Sequence, residues 1–456
     1  MKIRAFFAIV CCKVLRFAAR VLHRGGTAMP GRYALKICPQ LLSYLSKDVS
    51  TVVITGTNGK TTGAAMIEQI LSRQGYDVFS NRSGANLISG ITTEFVMNAS
   101  LSGKPRKHYA VMECDEAATV KVLSQTKAKV FVVSNIFSDQ EDRYGGVKKT
   151  AEIIRSAAEQ VPDTVLVLNA DCSLASSLSR LPNIKYYFGM GAGVLPEHGR
   201  PEHMDAPDCI FCGAEYEYSY YTYDHLGGFR CPKCGYSRVK PDFEVCLLKE
   251  FRNDGSKVLL STPEGELEVD VNLPAAYNIY NAAGAFAAAY AMGVSGKTAA
   301  MALAGFSNCF GRMEKLNLGK KGAEMLLVKN PAGCNQVIDF LQRIEEPFDL
   351  VLAFNAHVSD GTDISWIDSC NFEALSDMKE RIGRFYISGE KAAEIKTRIL
   401  SAGVPEEKIT FEPSYDKLVD LLMNDRDPIY LLPNYTVMLD LRQMIVHRCG
   451  GSDFWN

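Results

Sequence analysis

The chain has 456 residues, of which 47% are hydrophobic and 22% are charged, and its formal net charge at pH 7 is −2. These values are ordinary for a globular protein of about two to four domains. The near-neutral charge argues against a protein that binds nucleic acid through a generally basic surface.

Residues 1–45 are predicted to form an N-terminal helical segment. Its apolar run, residues 5–12, is too short to span a membrane and is followed by the basic residues Lys13, Arg16 and Arg20. Two interpretations stay open at this point. The segment either packs as a helix on the body of the protein, or it lies as a basic amphipathic helix on an anionic membrane surface.

From residue 46 onward, short β-branched strands alternate with amphipathic helices. Strands are predicted at 51–55, 109–112, 130–134 and 164–168, and helices at 61–74, 147–160 and 278–292. This alternation predicts a mostly parallel, doubly wound sheet in an α/β domain over residues 46–315. A second α/β pattern predicts a C-terminal domain over 316–456, with the boundary near residues 316–321 and strands at 325–328, 350–354, 384–387 and 429–432.

A glycine-rich turn follows the first of these strands. It consists of Gly56, Thr57, Asn58, Gly59, Lys60, Thr61 and Thr62. Glycines let backbone N–H groups approach phosphate oxygens, and the N-terminus of the following helix favours negative charge. Lys60 could reach the terminal phosphates of ATP, and the Thr61 hydroxyl could bind Mg²⁺. An ordinary strand–helix turn is the alternative, because Ile54 occupies the place of the first glycine of the common motif.

Four of the fourteen cysteines form two Cys-x-x-Cys pairs, Cys209 with Cys212 and Cys231 with Cys234. This spacing is typical of a zinc ribbon, in which four thiolates complete a tetrahedron and leave no position for water. We therefore predict a structural Zn²⁺ in an insert at residues 205–240. The other cysteines are scattered, which favours reduced thiols in a cytoplasmic protein over a disulfide framework.

The sequence at 55–62 resembles the ATP loop of the Mur ligases and of folylpolyglutamate synthase, which phosphorylate a carboxylate before an amine attacks the acyl phosphate. The resemblance implies a Mur-ligase central domain that uses ATP and Mg²⁺. It implies that Glu113 binds Mg²⁺, that Asn278 and Asn281 contact adenine, and that Arg312 reaches the γ-phosphate. Plain helix caps or surface residues are the alternative for each of them.

Two further segments are similar to those enzymes in the same order along the chain. Residues 135–145 resemble an Asn…Asp-His segment, with Gln140 where histidine is usual, and Asn169 and Asp171 resemble an Asn-x-Asp turn. The shared order of all these segments favours membership of the superfamily over coincidence.

The ribbon and the C-terminal segments depart from the amino-acid-adding Mur ligases. Residues 329–333, Lys-Asn-Pro-Ala-Gly, and 360–366, Asp-Gly-Thr-Asp-Ile-Ser-Trp, resemble instead the MurT family. That family supplies the Mur-ligase-like subunit of lipid II isoglutaminyl synthase. The resemblance implies ATP-dependent amidation of the α-carboxylate of D-glutamate in the lipid II stem peptide, at the inner face of the membrane. It also implies that ammonia comes from a glutaminase partner of the GatD type.

The resemblance also implies that an aspartate of the C-terminal domain completes the partner's Cys–His pair. The candidates here are Asp360, Asp363 and Asp368, and capping of turns or helices is the alternative for all three. Two other functions stay open on the sequence. One is a free-standing amino-acid ligase of the Mur or folylpolyglutamate type, and the other is a non-catalytic zinc-ribbon scaffold that keeps a vestigial nucleotide site.

Overall fold

The computed structural model describes residues 2–21, 27–81, 84–139, 145–196, 199–201, 204–306, 312–318, 321–357, 359–425 and 427–450, without the side chains of Arg312 and Lys321. The chain divides into two compact units. The first comprises Met1–Phe251, Ser256–Asn272 and Tyr277–Phe306, and the second comprises Arg252–Gly255, Leu273–Ala276 and Ser307–Asn456.

A nine-stranded sheet runs through the first unit. The strands of this unit are β1 (Ser50–Thr55), β2 (Val78–Ser80), β3 (Tyr109–Glu113), β4 (Val130–Val133), β5 (Val165–Asn169), β6 (Lys185–Met190), β7 (Glu217–Tyr223), β8 (Leu226–Arg230), β9 (Phe243–Arg252), β10 (Gly255–Thr262) and β11 (Gly265–Val271). The sheet order is β11-β10-β9-β6-β5-β4-β1-β3-β2, and β7 pairs separately with β8. From β2 to β9 the neighbouring strands are parallel, which confirms the predicted doubly wound sheet.

Helices flank these strands, and those between β1 and β6 connect parallel strands. They are α1 (Lys2–Val21), α2 (Met29–Ile37), α3 (Leu41–Leu45), α4 (Lys60–Arg73), α5 (Ile88–Asn98), α6 (Thr119–Thr126), α7 (Val147–Glu159), α8 (Ser173–Ser176), α9 (Ala276–Ala291) and α10 (Gly296–Ala304). Residues 51–55 of β1 are all buried, as expected for a β-branched run in the centre of a parallel sheet. On α9, Gly284 packs against Phe188 of β6, where a Cβ would lie 3.1 Å from the ring.

The N-terminal segment packs on the first unit. Along α1, the side chains of Ala5, Ala8, Ile9 and Cys12 are fully buried, and the helix contacts α2 and α5. Packing on the body of the protein was one of the two interpretations of this segment. In the part of the chain that the structure describes, no helix is long and apolar enough to cross a membrane.

The second unit is built on a six-stranded sheet. Its elements are β12 (Arg312–Leu318), β13 (Lys321–Leu326), α11 (Pro331–Leu341), β14 (Phe348–Ala353), α12 (Glu373–Asp377), β15 (Ile382–Ser388), α13 (Ala392–Ser401), β16 (Ile409–Phe411), α14 (Tyr415–Asn424), β17 (Ile429–Pro433) and α15 (Tyr435–Cys449). The strand order is β12-β13-β17-β14-β15-β16. All pairs are parallel except β12 with β13.

The sequence placed the domain boundary near residues 316–321. In the structure, β12 and β13 pair as far as Leu318 and Lys321, and both strands belong to the second unit, whose longest segment is Ser307–Asn456. The predicted domain bounds stay a prediction.

The cysteine-containing insert is attached to the main sheet through Asp171, which follows β5 and is fully buried. One carboxylate oxygen accepts a hydrogen bond from Arg238 Nε at 2.6 Å. The other accepts from Met190 N at 2.7 Å and from the Tyr280 hydroxyl at 2.6 Å. Gly227 N donates to the Asp171 carbonyl at 3.1 Å. Burial raises the pKa of Asp171 although the Arg238 guanidinium opposes that shift. One carboxylate thus joins the insert, the end of β6 and α9.

We expect Asp171→Asn to destabilise the first unit by about 3 kcal/mol, because breaking a buried ion pair leaves Arg238 without its main counterion. Removing one partner of a buried ion pair costs about 3–5 kcal/mol. Glu244 remains 3.0 Å from the Arg238 guanidinium and should keep the loss of stability near the lower end of that range. The midpoint of thermal unfolding should fall by roughly 6 °C or more. As a control, Glu159→Gln removes only the exposed Glu159–Arg155 pair and should change stability by less than about 0.5 kcal/mol. Equal midpoints for the two variants would contradict this assignment.

Candidate nucleotide site and cysteine cluster

The predicted phosphate loop joins β1 to α4, and its packing requires both of its glycines. Gly56 has φ +131°, and a Cβ there would lie 2.2 Å from Ser134 Oγ. Gly59 has φ +84°, and a Cβ there would lie 2.1 Å from Asn281 Oδ1. Helix α4 begins at the next residue, Lys60. The loop therefore presents backbone N–H groups at a helix N-terminus, an arrangement that binds phosphate.

The chain segment after β4 fixes the conformation of this loop. Asn135 accepts a hydrogen bond from Asn58 N at 2.8 Å and donates to the Asn58 carbonyl at 3.0 Å. The Thr57 hydroxyl donates to the Phe137 carbonyl at 3.1 Å and accepts from Phe137 N at 2.9 Å. These pairs show why an asparagine follows β4. Residues 140–144 of the expected Asn…Asp-His segment, including Gln140, lie outside the described residues.

Lys60 is buried and charged. Its ammonium group donates to the Gly56 carbonyl at 2.5 Å and to Glu116 Oε1 at 2.8 Å. Burial alone would lower the pKa of Lys60, but the carboxylates of Glu116 and Glu113 outweigh burial and the pKa is raised. The lysine therefore stays protonated, which is the form that stabilises phosphate charge. Glu116 was not among the predicted site residues, although it lies three residues after Glu113, the implied Mg²⁺ ligand.

Thr61 and Glu113 meet at the mouth of the loop. The Thr61 hydroxyl donates to Glu113 Oε2 at 2.7 Å. Asn81 holds the backbone of Glu113 by accepting from its N–H at 2.9 Å and donating to its carbonyl at 2.8 Å. Hydroxyl and carboxylate oxygens are ligands that Mg²⁺ prefers. These two side chains could therefore hold the metal beside the phosphates. Thr62, the last residue of the motif, is buried inside α4.

The predicted adenine-side residues lie in the first two turns of α9. Asn278 and Asn281 are both buried, and the Asn281 amide donates to Asn278 Oδ1 at 3.1 Å. Because Asn281 packs on Gly59, the structure brings this helix start directly to the phosphate loop. Arg312 begins β12 of the second unit, and its side chain lies outside the described part of the chain.

The four cysteines of the insert converge as expected for one metal ion. Cys209 Sγ lies 3.6 Å from Cys234 Sγ, and Cys212 Sγ lies 3.4 Å from Cys231 Sγ. All four sulfur atoms are within 4.8 Å of one another. Tetrahedral zinc with Zn–S bonds of about 2.3 Å separates its sulfurs by about 3.8 Å. The four cysteines are free thiols and fit a Cys₄ zinc ion.

The backbone around the cysteines forms two matching turns. Gly213 and Gly235 have φ of +71° and +76°, and their N–H groups donate to the carbonyls of Cys209 and Cys231 at 2.8 and 3.1 Å. The apolar core of the insert contains few residues besides the cysteines, chiefly Tyr216, Phe229 and Tyr236. A core of this size seldom folds without a metal or a disulfide.

The structure also contains a Cys–His–Asp arrangement that the sequence did not reveal. His225 Nε2 lies 3.6 Å from Cys172 Sγ, and His225 Nδ1 lies 2.9 Å from Asp224 Oδ1. Burial would lower the pKa of His225, but its hydrogen bonds to Asp224 and Cys172 raise the pKa to about 10. Cys172 and His225 are fully buried, so no substrate reaches the thiol. The arrangement connects the β7–β8 turn to the end of β5.

The three C-terminal aspartates differ in their surroundings. Asp360 is buried and accepts hydrogen bonds from the Thr436 N–H at 2.8 Å and its hydroxyl at 2.5 Å. Asp363 is exposed and accepts from the N–H and hydroxyl of Ser365 at 2.8 and 2.9 Å, bonds that lower the pKa of Asp363. Asp368 is exposed in the 3₁₀ turn Ser365–Ser369 and has no hydrogen bond to the residues that the structure describes.

Comparison with known proteins agrees with this geometry. The sequence profile of the Mur ligase middle domain matches residues 54–194, and that of the MurT ligase C-terminal domain matches residues 327–438. The chain is 33% identical over 449 residues to the lipid II isoglutaminyl synthase (glutamine-hydrolyzing) subunit MurT of Streptococcus pneumoniae, with 98% of both chains covered. It is 29% identical over 452 residues to the subunit of the same name from Staphylococcus aureus, with 98% of this chain and 99% of that one covered.

A solved structure shows the same fold. It is a pseudomurein peptide ligase type C from Methanothermus fervidus, with a TM-score of 0.66 and 22% identity, and the match covers 90% of this chain and 80% of that one. The chain matches both profiles, and its similarity to the pneumococcal subunit extends over nearly the full length of both chains. The chain therefore belongs to the MurT family of the Mur ligase superfamily.

Proposed function

We propose that this chain is the ATP-using subunit of a lipid II isoglutaminyl synthase, which amidates the α-carboxylate of D-glutamate in the stem peptide of lipid II. The observation that carries the proposal is the 33% identity to a subunit of that name over 98% of both chains. That relative is named as a subunit, which does not favour a free-standing amino-acid ligase. Because lipid II is anchored in the membrane, the chain works as a peripheral protein at its inner face.

Mur ligases use ATP and Mg²⁺, and the residues of the loop suit both. A carboxylate oxygen of the substrate attacks the γ-phosphorus and ADP leaves, which gives an acyl phosphate. Ammonia then attacks the carbonyl carbon and phosphate leaves as the amide forms. Residues 56–62 bind the phosphates, with Lys60 offsetting the charge that develops there. Thr61 and Glu113 hold Mg²⁺. Asn278 and Asn281 lie on the adenine side, and Arg312 is assigned to the γ-phosphate.

The ammonia must come from a second protein. At neutral pH, free ammonia is almost entirely ammonium, which is not a nucleophile. Release from glutamine needs an accessible cysteine nucleophile with a histidine base, and the Cys172–His225 pair is buried. The relatives are named as subunits of a glutamine-hydrolyzing enzyme. We therefore propose a separate glutaminase partner of the GatD type.

The test is amidation of lipid II with ATP and glutamine, by this chain alone and with a co-expressed glutaminase subunit. We expect the amide product only from the pair. Lys60→Ala should lower the rate at least about 100-fold, because it removes a charge that acts on the reacting phosphates. Lys121→Ala changes an exposed lysine of α6 and serves as the control. Unchanged turnover by Lys60→Ala would refute the assigned site, and amino-acid ligation by the chain alone would indicate a free-standing ligase.

We propose that Asp368 completes the partner's Cys–His pair, because it is exposed and free of hydrogen bonds to described residues. Asp368→Asn in the complex should lower glutamine hydrolysis at least about 100-fold, since an aspartate beside a catalytic histidine sets its orientation and charge. Amidation with supplied ammonia should persist, because ATP chemistry does not need this residue. Asp363→Asn is the matched comparison, and loss of glutaminase activity in that variant alone would transfer the role to Asp363. A loss in neither variant would exclude both.

We also propose that Cys209, Cys212, Cys231 and Cys234 hold a structural Zn²⁺. The purified chain should contain about one zinc ion, since four thiolates fill one tetrahedral site. Cys231→Ser should abolish zinc binding and expose residues 205–240 to limited proteolysis, because the apolar core there is small. Cys246→Ser alters an exposed cysteine outside the cluster and should leave both properties unchanged. Full protease resistance of metal-free protein would argue against a structural metal.

A further inference from the structure

Helix α1 exposes a row of large apolar side chains on the face opposite its packed face. Ile3, Phe7, Val14, Phe17 and Val21 have exposed fractions of 75%, 60%, 60%, 69% and 60%. With Val10, which is half-buried, they follow one another at alternating intervals of four and three residues. That spacing places them on one stripe along the helix. The stripe is too regular and too large to be the scattered apolar exposure of an ordinary surface.

The charge of α1 has one sign. The helix contains five basic residues and no acidic residue. The basic residues are Lys2, Arg4, Lys13, Arg16 and Arg20. On a helical wheel, Lys2, Lys13 and Arg20 lie along one border of the apolar stripe. The packed neighbour α5 supplies Glu94, a half-buried carboxyl whose charge interacts with Arg16, and burial raises the pKa of Glu94.

The neighbouring helix α2 also exposes apolar, aromatic and basic side chains. Its exposed residues include Arg32, Tyr33, Lys36 and Ile37, and Lys36 Nζ lies 5.2 Å from the centre of the Tyr33 ring. The first two helices thus expose apolar, aromatic and basic side chains together, a composition typical of helices that lie in a membrane interface.

We propose that the exposed face of α1 (Ile3, Phe7, Val14, Phe17 and Val21) docks the protein on an anionic phospholipid membrane. The apolar stripe would enter the boundary between headgroups and acyl chains, while the exposed residues Lys2 and Arg20 contact anionic headgroups. The Lys13 ammonium instead donates a hydrogen bond to the Ala99 carbonyl at 2.7 Å. A helix of 20 residues extends about 30 Å, which gives a long contact parallel to the surface. Membrane binding by α1 does not depend on the proposed function. Only the reason for that binding, access to a lipid-linked substrate, rests on it.

Charge favours a membrane over a second copy of the chain at this surface. Pairing two α1 helices would bring ten basic side chains together, five from each helix, with no acidic residue on either helix to pair with them. Helices that associate along such stripes usually carry complementary charges at the borders. An anionic lipid surface supplies the missing negative charge.

The test is co-sedimentation of the full chain with vesicles of phosphatidylcholine containing phosphatidylglycerol, compared with phosphatidylcholine alone. We expect binding to the anionic vesicles that weakens as salt is raised. Phe7→Asp with Phe17→Asp should lower the partition coefficient at least about tenfold, since both rings would be replaced by charges that the lipid repels. Ile184→Asp with Leu247→Asp is the matched control, because these side chains are also exposed, by 66% and 49%, but lie elsewhere in the first unit.

Binding that is equal for the Phe7/Phe17 variant and the wild type would overturn the proposal. A shift of the wild type to a dimer that the same variant abolishes would also overturn it, as would loss of the glutaminase partner by that variant. In the complex, the variant should lose amidation of lipid II in vesicles but retain amidation of detergent-solubilised lipid II. Vesicle binding without amidation in either medium would instead contradict the proposed function and leave the membrane surface supported.

Discussion

The nucleotide site depends on the close approach of three chain segments that only glycine permits. Gly56 lies against Ser134 and Asn135, and Gly59 lies against Asn281, at distances that leave no room for a Cβ. Both residues also have positive φ, which other residues adopt at a cost. Because of these contacts, the segment after β4 and the start of α9 meet the loop directly. The placement of Asn281, a predicted adenine-side residue, beside the predicted phosphate loop follows from this packing.

Hydrogen bonds around Asp171 support this packing at the phosphate loop. Asp171 receives hydrogen bonds from Arg238 of the insert and from Tyr280, the residue before Asn281 on α9. Asn169, two residues earlier, donates to the Ser134 carbonyl at 2.9 Å. The cysteine-containing insert is therefore continuous with the residues that pack on the phosphate loop. A fully buried carboxylate with three hydrogen-bond donors is worth more to specificity of packing than to net stability, because its desolvation offsets much of the attraction.

The two faces of α1 serve different purposes. Its small side chains, such as Ala5 and Ala8, allow close packing against neighbouring helices, while Phe7 and Phe17 point away from the body of the protein. Apolar side chains that gain nothing from the fold are expected to have another partner. An enzyme whose substrate is held in a membrane benefits from such a contact, because it restricts the search for substrate to a surface.

The sequence by itself determined the features whose residues lie close together in the chain. The strand–loop–helix at 50–73, the paired Cys-x-x-Cys turns and the alternation of strands and helices are local patterns, and the predicted fold class was confirmed. Family membership also followed from short motifs in a fixed order. The roles assigned to Glu113, Asn278, Asn281, Arg312 and the three aspartates stay predictions.

Only the tertiary structure decided which distant residues complete each site. The partner of Lys60 is Glu116, and that of Asp171 is Arg238, 56 and 67 residues away in the chain. Periodicity and spacing carry no information about such pairs, because the fold and not the local backbone brings them together. For the same reason the sequence could not separate buried Asp360 from exposed Asp368. It also could not show that β12 pairs with β13, since strand pairing depends on neighbours in the sheet.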